Sequence, residues 1–201
     1  MPGPERVGAA GRALTAVALL VFVAGAPAQP APALAAACVA CHGAGGNSQQ
    51  PLVPSLAGQP RLFIENQLVL VREGLREIPQ MKGLLDGQAD ADLVALARYF
   101  AAQPPVRAAA GARDAAAYRR GEALSATMHC GSCHLPDYAG REQIPRLAGQ
   151  HEAFLLQAMK QLRDHPGPGR DTIMAASLYG LKDADLADLA HFLAHFGASA
   201  S

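Results

Sequence analysis

Cys-Val-Ala-Cys-His at residues 38–42 and Cys-Gly-Ser-Cys-His at residues 130–134 contain all four cysteines of the chain. In each segment two residues separate the cysteines, and a histidine follows directly. On a helical turn, cysteines three residues apart lie on one side, so both can reach the edge of one planar group while the histidine projects towards its centre. This spacing is typical of covalent haem c attachment through two thioethers, with the histidine as an iron ligand. It predicts haem attachment to Cys38, Cys41, Cys130 and Cys133 and iron ligation by His42 and His134.

Three other uses of Cys-x-x-Cys pairs fit this sequence less well. A zinc ribbon needs its pairs about 15–20 residues apart, whereas 88 residues lie between Cys41 and Cys130. A thioredoxin-like redox pair needs a strand–helix–strand context, and no strand alternation is visible in this sequence. Structural disulfides suit an exported chain but give no reason for the two histidines. We therefore predict two covalently bound haem c groups as the cofactors.

The similarity of the two segments extends along both halves of the chain, at an offset of 91 to 93 residues. Pro-Ser-Leu-Ala-Gly-Gln at 54–59 matches Pro-Arg-Leu-Ala-Gly-Gln at 145–150, and Asp-Ala-Asp-Leu occurs at both 90–93 and 183–186. A repeat of this length predicts two tandem domains of one kind. A helix-stopping Pro pair begins the stretch between them. The predicted division is a signal peptide at 1–28, a first domain at 29–103, a linker at 104–112 and a second domain at 113–201.

Each half shows helical periodicity, so the predicted fold class is all-α, with two tandem domains that each wrap around one haem. Residues 63–72 and 154–163 have apolar side chains at three-to-four spacing. Asp90 and Asp183 are expected to cap the closing helices. The apolar faces of those helices contain Leu93, Leu96 and Phe100 in one half and Leu186, Leu189 and Leu193 in the other. A half of this size has a marginal core, which a large apolar cofactor would complete.

The sixth iron ligands are predicted from the methionines. Met81 lies 39 residues after His42, and Met174 lies 40 residues after His134, so the two share one position in the repeat. Both are expected in loops that contain Gly and Pro, before the last helix of each half. Thioether sulfur favours ferrous iron and raises the reduction potential relative to a second nitrogen ligand. The carbonyls of Pro54 and Pro145 are expected to accept the Nδ1 protons of the two haem histidines and to fix their ring orientation.

The other histidines are expected to have no special role. His151, His165, His191 and His195 have no counterparts in the first half, and His191 and His195 are placed on the solvated side of the last helix.

The N-terminus resembles a secretory signal. Arg6 and Arg12 precede an uncharged apolar stretch at 13–26, and a small-x-small site at 26–28 would release a mature chain beginning at Gln29. An uncleaved membrane anchor is the alternative, although 14 apolar residues fall short of the ~20 that span a bilayer. The predicted location is the periplasm, and peripheral membrane association stays open.

The charge balance bears on partners. The chain has 17 basic and 17 acidic residues, which argues against disorder and against a nucleic-acid partner. Without the predicted signal the counts are 15 and 16, because Glu5, Arg6 and Arg12 are removed. Docking to a strongly charged partner by electrostatic steering is therefore not expected.

From Ala37 to Phe196 the chain resembles the dihaem class I cytochromes c, most closely the cytochrome c4 type. The resemblance rests on the two haem segments with Gly43, on both Leu-Ala-Gly-Gln segments, on Arg72-Glu-Gly74, on Tyr118-Arg-Arg-Gly-Glu-Ala123 and on Met174. It implies helical haem domains packed about a pseudo-two-fold axis, with iron ligand pairs His42/Met81 and His134/Met174. The chain departs from the family pattern at Leu135, which replaces a glycine, at the inserted residues 165–169 and in a short segment before Cys38.

Three functions remain in competition. The first is a periplasmic electron carrier, with a quinol–cytochrome c reductase or a dehydrogenase as donor and a terminal oxidase or reductase as acceptor. The second is a dedicated electron-accepting subunit of a periplasmic dehydrogenase. The third is an enzyme of the dihaem peroxidase type, which would need one iron to lose its methionine, whereas both halves retain one in register. We therefore expect an electron-transfer protein without a catalytic residue.

Overall fold

The computed structural model describes residues 31–108 and 111–198, together with Met1 and Gly3. The predicted signal sequence, its apolar stretch and its cleavage site lie outside the described residues. Among the helices that are described, none has the length and apolar character needed to cross a membrane.

The described residues form helices joined by loops. Two short 3₁₀ turns, Ala44–Gly46 and Pro79–Met81, accompany the α-helices, and the β-structure of the described residues is a single bridge between Arg141 and Ile144. The all-α prediction is therefore confirmed. The helices are α1 (Ala35–His42), α2 (Arg61–Arg72), α3 (Asp90–Ala101), α4 (Ala115–Thr127), α5 (Cys130–His134), α6 (Glu152–Asp164), α7 (Thr172–Leu178) and α8 (Asp183–His195).

Each half of the repeat has its own hydrophobic core. In the first half, α2 packs on α3; in the second, α6 and α4 pack on α8. The predicted apolar faces of the closing helices are confirmed, because all six of their side chains are buried. Residues buried in the first core include Ile64, Leu68, Leu93, Leu96 and Phe100, and those in the second include Leu155, Met159, Leu186, Leu189, Phe192 and Leu193.

Helices α4 and α8 approach each other closely at Gly121. Gly121 meets α8 at Asp188, where an added Cβ would lie 2.1 Å from the Asp188 carbonyl oxygen. This approach brings Tyr118 edge-on to Phe192, with ring centroids 5.1 Å apart. Arg120 donates two hydrogen bonds to the Asp188 carboxylate, at 2.6 and 2.7 Å. A residue without a side chain at 121 is thus needed for the two helices to pack.

The prediction that Asp90 and Asp183 cap the closing helices is wrong, because the N-cap residues are Ala89 and Lys182. Asp90 and Asp183 are the first helical residues, and the carboxylates that accept the preceding backbone N–H groups belong to Asp92 and Asp185, at 3.3 and 2.8 Å. Such a bond from the third helical position back to the N-cap is half of a capping box. Asp90 and Asp183 instead form ion pairs with arginines at the ends of α2 and α6.

The expectation that His191 and His195 are solvated is also wrong. Both are buried, with 8% and 5% of their surface exposed. The start of α6 covers this side of α8, so the helix is enclosed on more than its apolar face. His191 lies between the Asp114 backbone and the Glu152 carboxylate, and it hydrogen-bonds both.

Candidate haem sites

Helices α1 and α5 place the cysteines and histidines of the two haem segments. Cys38 and Cys130 are half-buried and pack against the cores of their own halves, whereas Cys41 and Cys133 are exposed. Among the described residues, none of the four forms a disulfide. Burial raises the pKa of the Cys38 thiol, which also donates weakly to the Leu34 carbonyl. Each segment thus has one cysteine that packs against a core and one that is exposed. This arrangement suits a haem that is attached through both cysteines along one of its edges.

The two histidines are held in a ligand-competent form. His42 Nδ1 donates to the Pro54 carbonyl at 2.8 Å, and His134 Nδ1 donates to the Pro145 carbonyl at 2.9 Å. Because a carbonyl can only accept, Nδ1 carries the proton and the lone pair lies on Nε2. Burial lowers the pKa of both imidazoles, although the proline carbonyls act in the opposite direction. A neutral ring with Nε2 unprotonated is the form that binds iron.

The predicted methionines belong to the same cores as the cysteines. Met81 ends the 3₁₀ turn Pro79–Met81 and packs against the first core, as Cys38 does. Met174 packs against the second core, as Cys130 does. The expectation of a loop at Met174 is wrong, because the Asp171 side chain accepts the Met174 N–H at 2.7 Å and starts α7. The donor set of each half therefore fits one haem, and the roles of the individual ligands remain predictions.

The backbone after each haem histidine has a conformation that favours glycine. Gly43 has φ 78° and ψ 170°, and Leu135 has φ 69° and ψ 157°. For a side chain as bulky as leucine this region is strained. At Leu135 the backbone therefore has the same conformation as at Gly43, although a leucine replaces the glycine.

Two buried glutamines, Gln59 and Gln150, join the halves, and the sequence alone did not identify them as site residues. Gln150 accepts from the Ser55 N–H at 2.9 Å and donates to the Ser55 carbonyl at 3.0 Å. Gln59 forms the same two bonds with the backbone of Arg146, both at 2.9 Å. Ser55 and Arg146 directly follow the two prolines that accept from the haem histidines. The repeated Leu-Ala-Gly-Gln segments were the available signal, but a repeat does not reveal that each glutamine contacts the other half.

The Arg146 guanidinium lies between the halves. It donates to the carbonyls of Ala148, at 2.5 Å, and Ala57, at 3.0 Å, which occupy the same position in the repeat. The residue is buried, and no carboxylate pairs with it among the described residues. This charge therefore contacts equivalent backbone positions of both halves.

Glu152, His191 and His195 form a cluster whose ligand atoms lie within 4.8 Å of one another. His191 Nε2 accepts from the Asp114 N–H at 3.0 Å, so its proton is on Nδ1, which donates to Glu152 at 3.0 Å. Both ring nitrogens of His191 are thus used in hydrogen bonds. The hydrogen bonds of His191 tie α8 to α6 and to the start of α4, whereas His195 Nε2 has no hydrogen-bond partner among the described residues.

Known families match both halves of the chain. Residues 118–196 match the family described as Cytochrome c, and residues 25–100 match the family described as Cytochrome C oxidase, cbb3-type, subunit III. Covalently bound haem c is therefore the cofactor that these domains imply.

Individual proteins are similar over most of the chain. Cytochrome c4 of Pseudomonas aeruginosa is 32% identical over 80% of this chain and 84% of its own length. A thiosulfate dehydrogenase electron acceptor of Thiomonas intermedia is 32% identical over 82% of this chain and 80% of its own length. The solved structure of reduced recombinant cytochrome c4 from Pseudomonas stutzeri has a TM-score of 0.73 at 30% identity and covers 80% of this chain and 94% of that one. With two cytochrome c domains and relatives of this similarity, the chain belongs to the cytochrome c4 family of dihaem class I cytochromes c, which are electron-transfer proteins.

Proposed function

We propose that the chain is a periplasmic cytochrome that binds two haem c groups and carries electrons from respiratory donors to a terminal oxidase or reductase. The observation that carries this proposal is the duplicated site: each half has a cysteine pair, a neutral histidine oriented by a proline carbonyl, and a methionine at the same core. The proposed limits are a signal peptide at 1–28, domains at 29–103 and 113–201, and a linker between them.

In this proposal the cysteines Cys38, Cys41, Cys130 and Cys133 hold the haems as thioethers. His42 and Met81 would hold the iron of the first haem, and His134 and Met174 would hold that of the second. When bound, haem supplies the iron that alternates between the ferric and ferrous states. The protein contributes two buried histidines and two methionines that pack against the cores. With both ligands bound, an iron would have no open position for peroxide or oxygen.

Docking is proposed to depend mainly on apolar contact and to be transient, because the mature chain is nearly neutral. Electron exchange should therefore change only modestly with salt. The donor is proposed to be a quinol–cytochrome c reductase or a periplasmic dehydrogenase.

A second candidate function is a dedicated electron acceptor of one dehydrogenase. It is favoured by the similarity to the Thiomonas intermedia protein, whose name describes such an acceptor. Purification from the native host, with identification of the proteins that co-purify, separates the two: a stable complex with a dehydrogenase favours the dedicated subunit, and a free protein favours the carrier.

The haem count is tested by mass spectrometry of the unfolded holoprotein together with a pyridine haemochrome assay, because thioether-bound haem survives denaturation. Two haems per chain are expected, one in a Cys38→Ala/Cys41→Ala variant and one in a Cys130→Ala/Cys133→Ala variant. A parent mass with one haem, or none, contradicts the proposal. Stopped-flow mixing with hydrogen peroxide and with carbon monoxide tests the closed coordination, and fast peroxide turnover would indicate an enzyme instead.

A further inference from the structure

We propose that Gln59 and Gln150 are positioning residues that act across the domain interface, each on the haem histidine of the other half. Gln150 acts on His42, and Gln59 acts on His134. This inference rests on the proposed function, in which these histidines bind iron.

The first connection passes through the peptide unit between Pro54 and Ser55. Its carbonyl accepts a hydrogen bond from His42 Nδ1 at 2.8 Å, and its N–H donates a hydrogen bond to Gln150 Oε1 at 2.9 Å. Gln150 Nε2 returns to the Ser55 carbonyl at 3.0 Å and fixes the amide in place. His42 is thus connected by one peptide unit and two hydrogen bonds to a side chain of the second half.

The second connection is the equivalent of the first in the internal repeat. The Pro145 carbonyl accepts a hydrogen bond from His134 Nδ1 at 2.9 Å, and the Arg146 N–H of the same peptide unit donates to Gln59 Oε1 at 2.9 Å. Gln59 Nε2 donates to the Arg146 carbonyl, also at 2.9 Å. The same arrangement therefore occurs in both directions across the interface.

Burial makes these connections effective. Ser55, Gln59, Arg146 and Gln150 are 1%, 5%, 8% and 2% exposed, so water does not compete for the bonds. In a low dielectric, hydrogen bonds in a chain polarise one another. When the peptide N–H donates to a glutamine, its carbonyl becomes a stronger acceptor for the histidine proton.

The direction of the effect follows from the ligand chemistry. A stronger bond at Nδ1 makes the imidazole more basic at Nε2, and a more basic ligand stabilises ferric iron. Each glutamine therefore lowers the midpoint potential of the haem in the opposite half. Loss of Gln150 should raise the potential of the first haem, and loss of Gln59 that of the second.

The experiment compares the holoproteins of Gln150→Leu, Gln59→Leu and the parent in a redox titration followed by ¹H NMR. Resonances of each haem are assigned by their change in Met81→Ala and Met174→Ala variants. In Gln150→Leu we expect the ratio of reduced to oxidised first haem at a fixed potential to rise by about threefold to tenfold, tenfold being ~59 mV for one electron. The second haem should change by less than about twofold. Gln59→Leu should give the converse.

The control is His151→Leu. His151 Nε2 donates to the Ser48 carbonyl across the same interface at 3.0 Å, and its side chain forms no hydrogen bond with either peptide unit. The His151 backbone N–H, which donates to Gln150 Oε1 at 3.1 Å, is kept in the leucine variant. Both potentials should stay near the parent values in this variant. Should a leucine variant fail to take up haem, Gln150→Asn and Gln59→Asn give the same readout, because the shorter amide cannot reach both backbone groups.

Equal shifts of both haems, a shift in the half that carries the substitution, or no shift would overturn the inference. The proposed function fails separately, in the parent, if two haems with histidine and methionine ligands are not observed there.

Discussion

Substitution of Gly121 by alanine tests the packing on which the second domain depends. The added Cβ would lie 2.1 Å from the Asp188 carbonyl oxygen and 2.7 Å from both the Asp188 carbonyl carbon and the Phe192 Cβ. Ordinary contacts of a Cβ begin near 3.4 Å. Two of these three atoms are backbone, so helices α4 and α8 have to move apart by more than about 1 Å to accept a methyl group.

Two opposing effects set the size of the change. Alanine stabilises a helix interior by about 1 kcal/mol relative to glycine. Overpacking costs about 1–3 kcal/mol, and the cost lies at or above the upper end when backbone has to move. A net loss of about 2 kcal/mol is expected, which lowers the Tm of a domain of this size by ~8–16 °C.

The assay is thermal unfolding of the holoprotein followed by far-UV circular dichroism. Gly131→Ala is the matched control, because a Cβ there would lie 3.6 Å from its nearest neighbour, Pro136 Cα, and the first half has Val39 at the same repeat position. That variant should stay within about 0.5 kcal/mol of the parent. If Gly121→Ala unfolds at the parent temperature or above, the close approach of α4 and α8 is wrong.

Three further predictions concern the ligands, the strained turn and the buried histidine. Met81→Ala should remove one of two thioether-to-iron charge-transfer bands and lower one midpoint potential, and Met174→Ala should do so for the other haem, as measured by ferric absorption and redox titration. Leu135→Gly removes a leucine side chain, a loss that costs about 2–5 kcal/mol in a core, but it also relieves about 1–3 kcal/mol of backbone strain. Because the two effects oppose each other, the free energy of unfolding measured in urea should change by no more than about 1 kcal/mol. Burial, together with the nearby His191, lowers the pKa of His195, so the unfolded chain binds a proton near pH 6.5 that the folded chain does not. Stability should therefore decrease as the pH falls below ~6.5, and less so in His195→Gln, as urea unfolding at pH 7 and pH 5 will show.

The sequence predicted the features that depend on local spacing. Helical periodicity identified the buried faces at Leu93 and Leu186, because a three-to-four pattern corresponds to one side of a helix. Asp-Ala-Asp marked the start of both closing helices, but two carboxylates two residues apart left the capping residue ambiguous. At Met174 the pattern indicated a loop, because Asp171, which caps α7, corresponds in the first half to Ile78, whose side chain cannot cap the turn before Met81.

Features that depend on the arrangement of elements could not be predicted in this way. His191 and His195 are four residues apart, which places them on one helix face, and periodicity does not show that Glu152 and the Asp114 backbone cover it. Gln59 and Gln150 were visible as repeated residues. Their crossed contacts depend on how the halves pack, and the spacing within either half contains no information about that.

The position of the Arg146 guanidinium explains why the two halves cannot be identical. It bonds to the carbonyls of Ala57 and Ala148, which are equivalent under the internal symmetry, so it occupies a place that only one copy can fill. A homodimer of the second half would bring two cations to this point, and they would repel each other in a low dielectric. In a homodimer of the first half, both copies would have Ser55 at this position, and no guanidinium would bond to the two carbonyls. Joining the halves in one polypeptide removes this conflict, because each copy is then free to carry a different residue at this position between the halves.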